Sequence, residues 1–376
     1  MTSYVVVGAG ILGASAAYHL AKSGARVTIV DRRGPGQATD AAAGIVCPWL
    51  TQRRNKAWYH LAKNGAKYYP ELIKELAEEG EYETGYEKVG AISLHTDEQK
   101  LKKTVERAMK RREDAPEIGE ITLLSPAETK SLFPPISEEY GSVHVSGGAR
   151  VNGRALCKAL INAAEKKGAS ITYGDASLLF TKDRVTGVEV EGNQIYGDQV
   201  IVTAGAWARE LVAPLGINLL VSAQKAQIVH LEMDVPTNKW PVVMPPSNHY
   251  LLSFEEGRII VGATHEDEAG FDNRVTAGGV HGILEKALHV APGLYHSTFL
   301  ETRVGFRPMT PGFLPVIGKA PQKEGLLIAN GLGASGLTVG PYLGSELANV
   351  AMGMEVGLDL ENYSLLQAIA ESDPHS

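Results

Sequence analysis

The chain has 376 residues, 44% hydrophobic and 21% charged, a globular balance that excludes a disordered or fibrous protein and a length that predicts two domains or one large α/β unit with an elaborated partner. A formal charge of -7 gives no general attraction to phosphate backbones, so nucleic acid is not an expected partner. Glycine is the outlier: 41 residues exceed the usual share of about 7% and follow no fixed period, which excludes collagen and calls for many sharp turns or close backbone approaches.

In chain order, Tyr4-Val5-Val6-Val7 reads as a buried strand, Gly8 to Gly13 as a tight turn, the small-residue run to Lys22 as a helix and Ala25 to Val30 as a second strand, together a βαβ unit. No basic leader precedes that first strand and no apolar run is long enough to span a bilayer, so a cytoplasmic protein without a membrane span is expected. Cys47 and Cys157 stand far apart and outside any CxxC, which argues against a disulfide framework or zinc site and suits a reducing compartment. A charged helical region is predicted from about Lys56 to Glu79, Gly80 to Leu94 opens a different layer, and Lys100 to Glu113 reads as a helix whose basic run faces solvent. Three prolines between Ser125 and Pro135 predict an extended connection.

From Val151 the pattern returns to a helix ending near Lys167, a short strand at Ser170 to Tyr173, β-like residues from Val185 to Val190, and a buried strand from Gln199 that ends in Thr203-Ala204-Gly205. Leu219 to His265, rich in β-branched and aromatic residues and broken by Pro236, Pro241, Pro245 and Pro246, predicts antiparallel strands. Gly325 to Asn330 then gives a last strand, a glycine turn and a helix from about Leu337 to Met352. The expected fold class is α/β: a discontinuous Rossmann-like nucleotide domain from residues 1–80, 145–215 and 303–376, plus a second domain with a mixed, largely antiparallel β-sheet from the insertions 81–144 and 216–302.

Gly8, Gly10 and Gly13 form a GxGxxG, a pattern that arises by chance about half a time in so glycine-rich a chain, so its context carries the weight. It follows a buried strand, opens a helix, and is followed 18 residues after Gly13 by Asp31 at the end of the next strand. Gly8 permits the turn, Gly10 lets backbone approach a pyrophosphate, Gly13 lets helix and strand pack, and Asp31 accepts hydrogen bonds from a ribose while disfavouring a 2′-phosphate. A second match at Gly331, Gly333 and Gly336 lacks a strand-end acid, since Glu355 is misplaced, and reads as backbone beside another part of the same cofactor. A nicotinamide enzyme needs one compact nucleotide domain, whereas FAD is long enough to need contacts from distant segments. The three-way segmentation, with close-approach backbone at Gly205 and at Ala38 to Ile45, favours FAD.

These pieces in this order resemble the D-amino-acid oxidase family of flavoenzymes, in its glycine oxidase, sarcosine oxidase and D-amino-acid dehydrogenase branch. The carriers are Val5 to Gly13 with Asp31, Ala41 to Ile45, Val200 to Trp207, Gly257 to Thr264, Gly305 to Pro311 and Gly331 to Gly340, so the likeness covers nearly the whole chain. It implies a doubly wound FAD domain beside a mixed-sheet substrate domain. By this resemblance Ile11, Leu12, Asp31 and Arg32 meet the ADP half of the cofactor, and Ala38, Thr39, Ala43, Gly44 and Ile45 the pyrophosphate and ring system. Ala176 meets the adenine, and Leu332, Gly333, Ala334, Ser335, Gly336, Leu337 and Thr338 run beside the flavin, with Thr338 reaching its pyrimidine carbonyl. Arg307 matches the arginine that pairs with the substrate carboxylate, a task suited to a planar guanidinium. Arg303, four residues earlier and on the same face if the segment is a strand, is the second candidate, and Tyr250 matches a pocket tyrosine.

Cys47 replaces a smaller residue and His265 an apolar one, departures that weaken a strict preference for glycine and make the pocket more polar. No cysteine stands near Arg307 to tether a flavin, so non-covalent FAD is expected. The implied reaction is oxidation of a small amino acid or secondary amine bearing a carboxylate, of glycine, sarcosine or D-amino-acid type, to an imino acid that hydrolyses to a 2-oxo acid and ammonia or amine. Electrons pass to oxygen, giving peroxide, or to a respiratory acceptor. A D-amino-acid or proline dehydrogenase, a nicotinamide-dependent dehydrogenase, and a flavoprotein with a structural or regulatory role are the alternatives; a homo-oligomer is left open. His265-Glu266-Asp267-Glu268 is acidic enough to suggest a metal, but consecutive loop residues cannot all face one ion, and no metal site is expected.

Overall fold

The computed structural model describes residues 1–370, and the final six residues of the expected third segment lie outside the described residues. Alternation along the first strand, Ser3–Val7, sends Tyr4 and Val6 into one core and Val5 and Val7 into another. A strand buried on both faces belongs inside a parallel sheet. The sheet has six strands in the order Val316–Lys319, Leu326–Asn330, Gln199–Val202, Ser3–Val7, Arg26–Asp31 and Ser170–Tyr173. All pair in parallel except the first two.

On one face the helix Ile11–Lys22 packs against Gly153–Lys166 and Gly336–Met352, and Lys56–Glu78 packs against the last. The small residues foreseen in the first helix have a packing reason: a Cβ at Gly344 would fall 2.5 Å from the Ser15 Cβ, so nothing larger fits at that crossing. The other face carries a three-stranded sheet, Ala176–Phe180, Val185–Val190 and Asn193–Tyr196, whose Val185, Val188 and Val190 close the second core over Val5 and Val7.

The two insertions meet in one eight-stranded sheet, in the order Thr298–Met309, Ser222–Glu232, Arg258–Gly262, Tyr250–Ser253, Val242–Met244, Ala91–His95, Gly141–Val145 and Ile121–Leu124. It is mixed and largely antiparallel, with one parallel pair where the insertions join, Val242–Met244 against Ala91–His95. The expected division at 302/303 falls inside the Thr298–Met309 strand, which carries Arg307 and belongs to this sheet along its length.

Two local expectations are corrected. Ser125 to Pro135 is not extended throughout: Pro126–Leu132 is a helix with a complete capping box between Ser125 and Glu128. Pro126 sits in the first turn, where no N–H is needed, and Pro134 and Pro135 stop the helix rather than prevent it. The basic run on Glu98–Arg112 is not wholly solvated either, because Arg111 turns inward, donates to Trp49 O at 2.6 Å and Thr51 O at 2.7 Å, and stacks over Tyr59.

Candidate active site

Four parallel strands end together, and residues at or just past their ends, Val7 with Gly8, Val30 with Asp31, Thr203 and Asn330, line one cavity of about 690 Å³. Ligands of open α/β sheets sit outside these carboxyl ends. The same cavity reaches the second sheet, where Tyr250, His265 and Arg307 line it.

The glycine turn divides its labour among three residues. A Cβ on Gly13 would lie 1.9 Å from Gly8 O, and one on Gly8, whose φ is +102°, 2.6 Å from Thr203 O. Both are therefore required by the protein's own packing, and Gly13 does not line the cavity. A Cβ on Gly10 would meet only Thr39 Oγ1, at 3.4 Å, so the protein itself leaves room there. The helix Ile11–Lys22 begins at this point without a side-chain cap and with no acid in its first turn, which suits an anion such as a diphosphate. One first-turn amide, Ile11 N, is taken by Thr39 Oγ1 at 3.1 Å.

Asp31 is held by three donors: Ala9 N at 2.8 Å on Oδ2, and Arg33 N at 2.7 Å and Gln37 Nε2 at 2.9 Å on Oδ1. It faces the cavity with Arg32, whose guanidinium lies 4.4 Å over the Trp207 ring. Ala38, Thr39, Ala43, Gly44, Ile45, Ala176, Gly205 and Ile11 with Leu12 all line the cavity, as does every residue from Leu332 to Thr338. Trp58 Nε1 donates to Ser335 Oγ at 2.9 Å and so ties that loop to the helical layer. The Thr338 hydroxyl lies on the cavity wall and donates to Ile45 O at 2.9 Å. Open backbone at Gly10, an uncapped helix start, a strand-end carboxylate and a length of wall drawn from three segments together fit FAD.

At the other end Arg307 Nη1 donates to Gln224 Oε1 at 3.0 Å. Burial lowers the Arg307 pKa, against the neighbouring Tyr250 phenol, but a guanidinium keeps its charge in a protein. Burial raises the Tyr250 pKa, and the Arg307 charge opposes it. Burial also lowers the His265 pKa from 6.5, and the positive charge of Arg307 adds to the effect while Asp267 opposes it. Arg303 is a correction: it does not line the cavity, and its Nε and Nη2 pair with Glu301 while Nη1 reaches Asp40 O. It shares a strand face with Arg307, but four residues of strand span about 13 Å, enough to carry it beyond the cavity.

Sequence reasoning missed Gln37, Trp207, Asn248, Phe306 and Gln224. The first four line the cavity, whereas Gln224 stands behind its wall. Trp207 and Phe306 lay inside segments already singled out, and Gln224 carried no local signal, since it meets Arg307 only through the register of two strands. In the acidic loop, Glu266 accepts from Thr264 and Gln227 while Asp267 accepts from Gln224, so these carboxylates face different partners. Among the described residues no group of three or more His, Cys, Asp or Glu is placed to hold a metal ion, and no helix is long and apolar enough to cross a membrane.

Known proteins match this arrangement. The family described as FAD dependent oxidoreductase, DAO, matches residues 3–350. The chain is 64% identical to the uncharacterized oxidoreductase YurR of Bacillus subtilis (strain 168), over 98% of this chain and 100% of that protein. It is 30% identical to a glycine oxidase of Pseudomonas aeruginosa, over 96% of this chain and 97% of that one. The crystal structure of iminodiacetate oxidase from Chelativorans sp. BNC1 superposes with a TM-score of 0.93 at 47% identity, covering 96% of this chain and 98% of that chain.

Proposed function

Because this chain belongs to the DAO family of FAD-dependent oxidoreductases, we infer that it oxidises a small carboxylate-bearing amine at its Cα–N bond, with secondary amines of the sarcosine or iminodiacetate type ahead of glycine. The observation that carries this is the single cavity that joins the Gly10 turn and Asp31 at one end to Arg307 at the other. The 47% identity to an iminodiacetate oxidase supports a secondary amine.

The Gly8–Gly10 end of the turn, Asp31 and the Leu332–Thr338 loop would hold FAD non-covalently, and the bound group would supply the hydride-accepting chemistry. The chain supplies the rest. Arg307 would pair with the carboxylate, Tyr250 would close the pocket beside it, and the apolar lining from Ala226, Ile228 and Met244 would exclude water and fix the Cα–N bond. As the Cα hydrogen leaves with its electron pair, the lone pair of the neutral amine nitrogen would form the C=N bond and the N–H proton would pass to solvent; water would then hydrolyse the imine to a 2-oxo acid and free amine. Reoxidation by oxygen, giving hydrogen peroxide, completes the turnover; a respiratory acceptor is the alternative.

Anaerobic mixing of the yellow holoenzyme with iminodiacetate, sarcosine, glycine, proline and D-alanine tests the proposal. Bleaching of the visible flavin band by one or more of these is expected, fastest with a secondary amine. A flavin that stays oxidised with every member of the panel overturns it.

A further inference from the structure

The arginine assigned to the substrate carboxylate is held by a neutral group. Gln224 and Arg307 are direct partners across the Ser222–Glu232 and Thr298–Met309 strands, so their side chains share one face. Arg307 Nη1 donates to Gln224 Oε1 at 3.0 Å, and the other end of the same amide, Nε2, donates to Asp267 Oδ1 at 2.8 Å. Gln224 is 8% exposed. Carboxylates on either side are engaged elsewhere: Glu266 and Asp272 face the buried Lys225, and Glu301 pairs with Arg303.

The chemistry of this relay is directional. A carboxylate only accepts, so Asp267 fixes which way the Gln224 amide is turned: NH2 toward the acid, carbonyl oxygen toward the guanidinium. Asp267 is itself fixed, because its loop is pinned to the same strand by Lys225 on Glu266 and Asp272, at 3.7 and 3.5 Å, and by Gln227 Nε2 on Glu266 at 2.8 Å and Thr276 at 2.9 Å. An acid at position 224 would also orient Arg307, but it would neutralise it and compete with an incoming carboxylate. An amide orients the guanidinium and leaves its charge for the ligand.

We propose that Gln224, oriented by Asp267, is a positioning residue that presents Arg307, still unneutralised, to the substrate carboxylate; this rests on the reading of Arg307 as the carboxylate clamp. The test titrates the holoenzyme with acetate, a minimal carboxylate, and reads its dissociation constant from the perturbation of the bound flavin's visible spectrum. Gln224→Leu is expected to weaken acetate about 10- to 100-fold, the scale of one lost hydrogen bond to a charged group, and to raise KM by a similar factor with kcat within about threefold.

Gln224→Glu, the closer match in shape, is expected to bind acetate more weakly than Gln224→Leu. That order follows from charge and is the reverse of what a packing role produces. Acetate binding by Gln224→Leu at the wild-type level, or tighter binding by Gln224→Glu than by Gln224→Leu, overturns the positioning role. Should Gln224→Leu fail to fold, Asp267→Asn serves: weaker acetate binding supports the relay and unchanged binding removes Asp267 from it. Arg307→Ala separates the two levels, since wild-type acetate binding in that variant sinks the clamp itself.

Discussion

The two ends of the cavity are built by different means. At the cofactor end the critical groups are main chain, brought together by a turn of six residues from Gly8 to Gly13 and the strand that follows it. At the substrate end they are side chains from positions far apart: Gln224, Tyr250 and Arg307 meet through the register of an antiparallel sheet, and His265 joins them from the loop that follows the Arg258–Gly262 strand. The first kind of site tolerates no added atoms and leaves a spacing motif; the second tolerates substitution, tunes affinity and leaves little local trace.

Glycine substitutions give the largest effect and test the first half of that contrast. Gly13→Ala sets a methyl 1.9 Å from Gly8 O, a backbone atom that cannot yield, so the variant is expected to lose at least about 1–3 kcal/mol of stability together with its flavin. Gly10→Ala meets only Thr39 Oγ1 at 3.4 Å and is expected to fold with an unchanged melting temperature while flavin affinity falls tenfold or more. Melting of the apoproteins and absorbance on FAD reconstitution distinguish the two. Equal effects on fold and flavin in both variants would show that Gly10 serves packing rather than the cofactor.

The next largest effect belongs to the substrate end. Arg307→Ala removes a half-buried cation from a charge pair of the kind worth about 2–5 kcal/mol, so KM is expected to rise roughly 30-fold or more with the flavin spectrum unchanged. Arg303→Ala is the internal control: its guanidinium is taken up by Glu301 and Asp40 O outside the cavity, and KM is expected to stay within about twofold. A large rise in KM from Arg303→Ala would move the clamp along the strand.

What the sequence made legible follows the same division. The strand, turn, helix and acid from Tyr4 to Asp31 were readable because each depends on neighbours in the chain, and the second glycine turn at Gly331 to Gly336 was readable for the same reason. The helix Pro126–Leu132 was missed because its prolines were weighed by number rather than position, although Ser125 and Glu128 spell its cap. Arg303 was overvalued because strand periodicity gives the face of a residue but not its distance along the strand. Gln224 was invisible, since its partner lies 83 residues away and only the pairing of two strands selects it.

His265 gives the smallest effect and probes how the two ends differ in charge. Its pKa lies below the ordinary 6.5 because burial and the Arg307 charge disfavour the cation. At neutral pH and above it is therefore uncharged, and the carboxylate meets Arg307 alone. A bound carboxylate favours the cation, so its pKa is higher in the complex than in the free enzyme. Affinity for acetate should then be flat above about pH 7, rise as pH falls through the pKa of the complex, and level off below the lowered pKa of the free enzyme. The total gain is expected to be about two- to fivefold, as befits a partly exposed charge. His265→Gln should remove that rise while leaving the neutral-pH affinity in place. A rise that persists in His265→Gln would assign the titration to another group and leave Arg307 as the sole charge that the ligand feels.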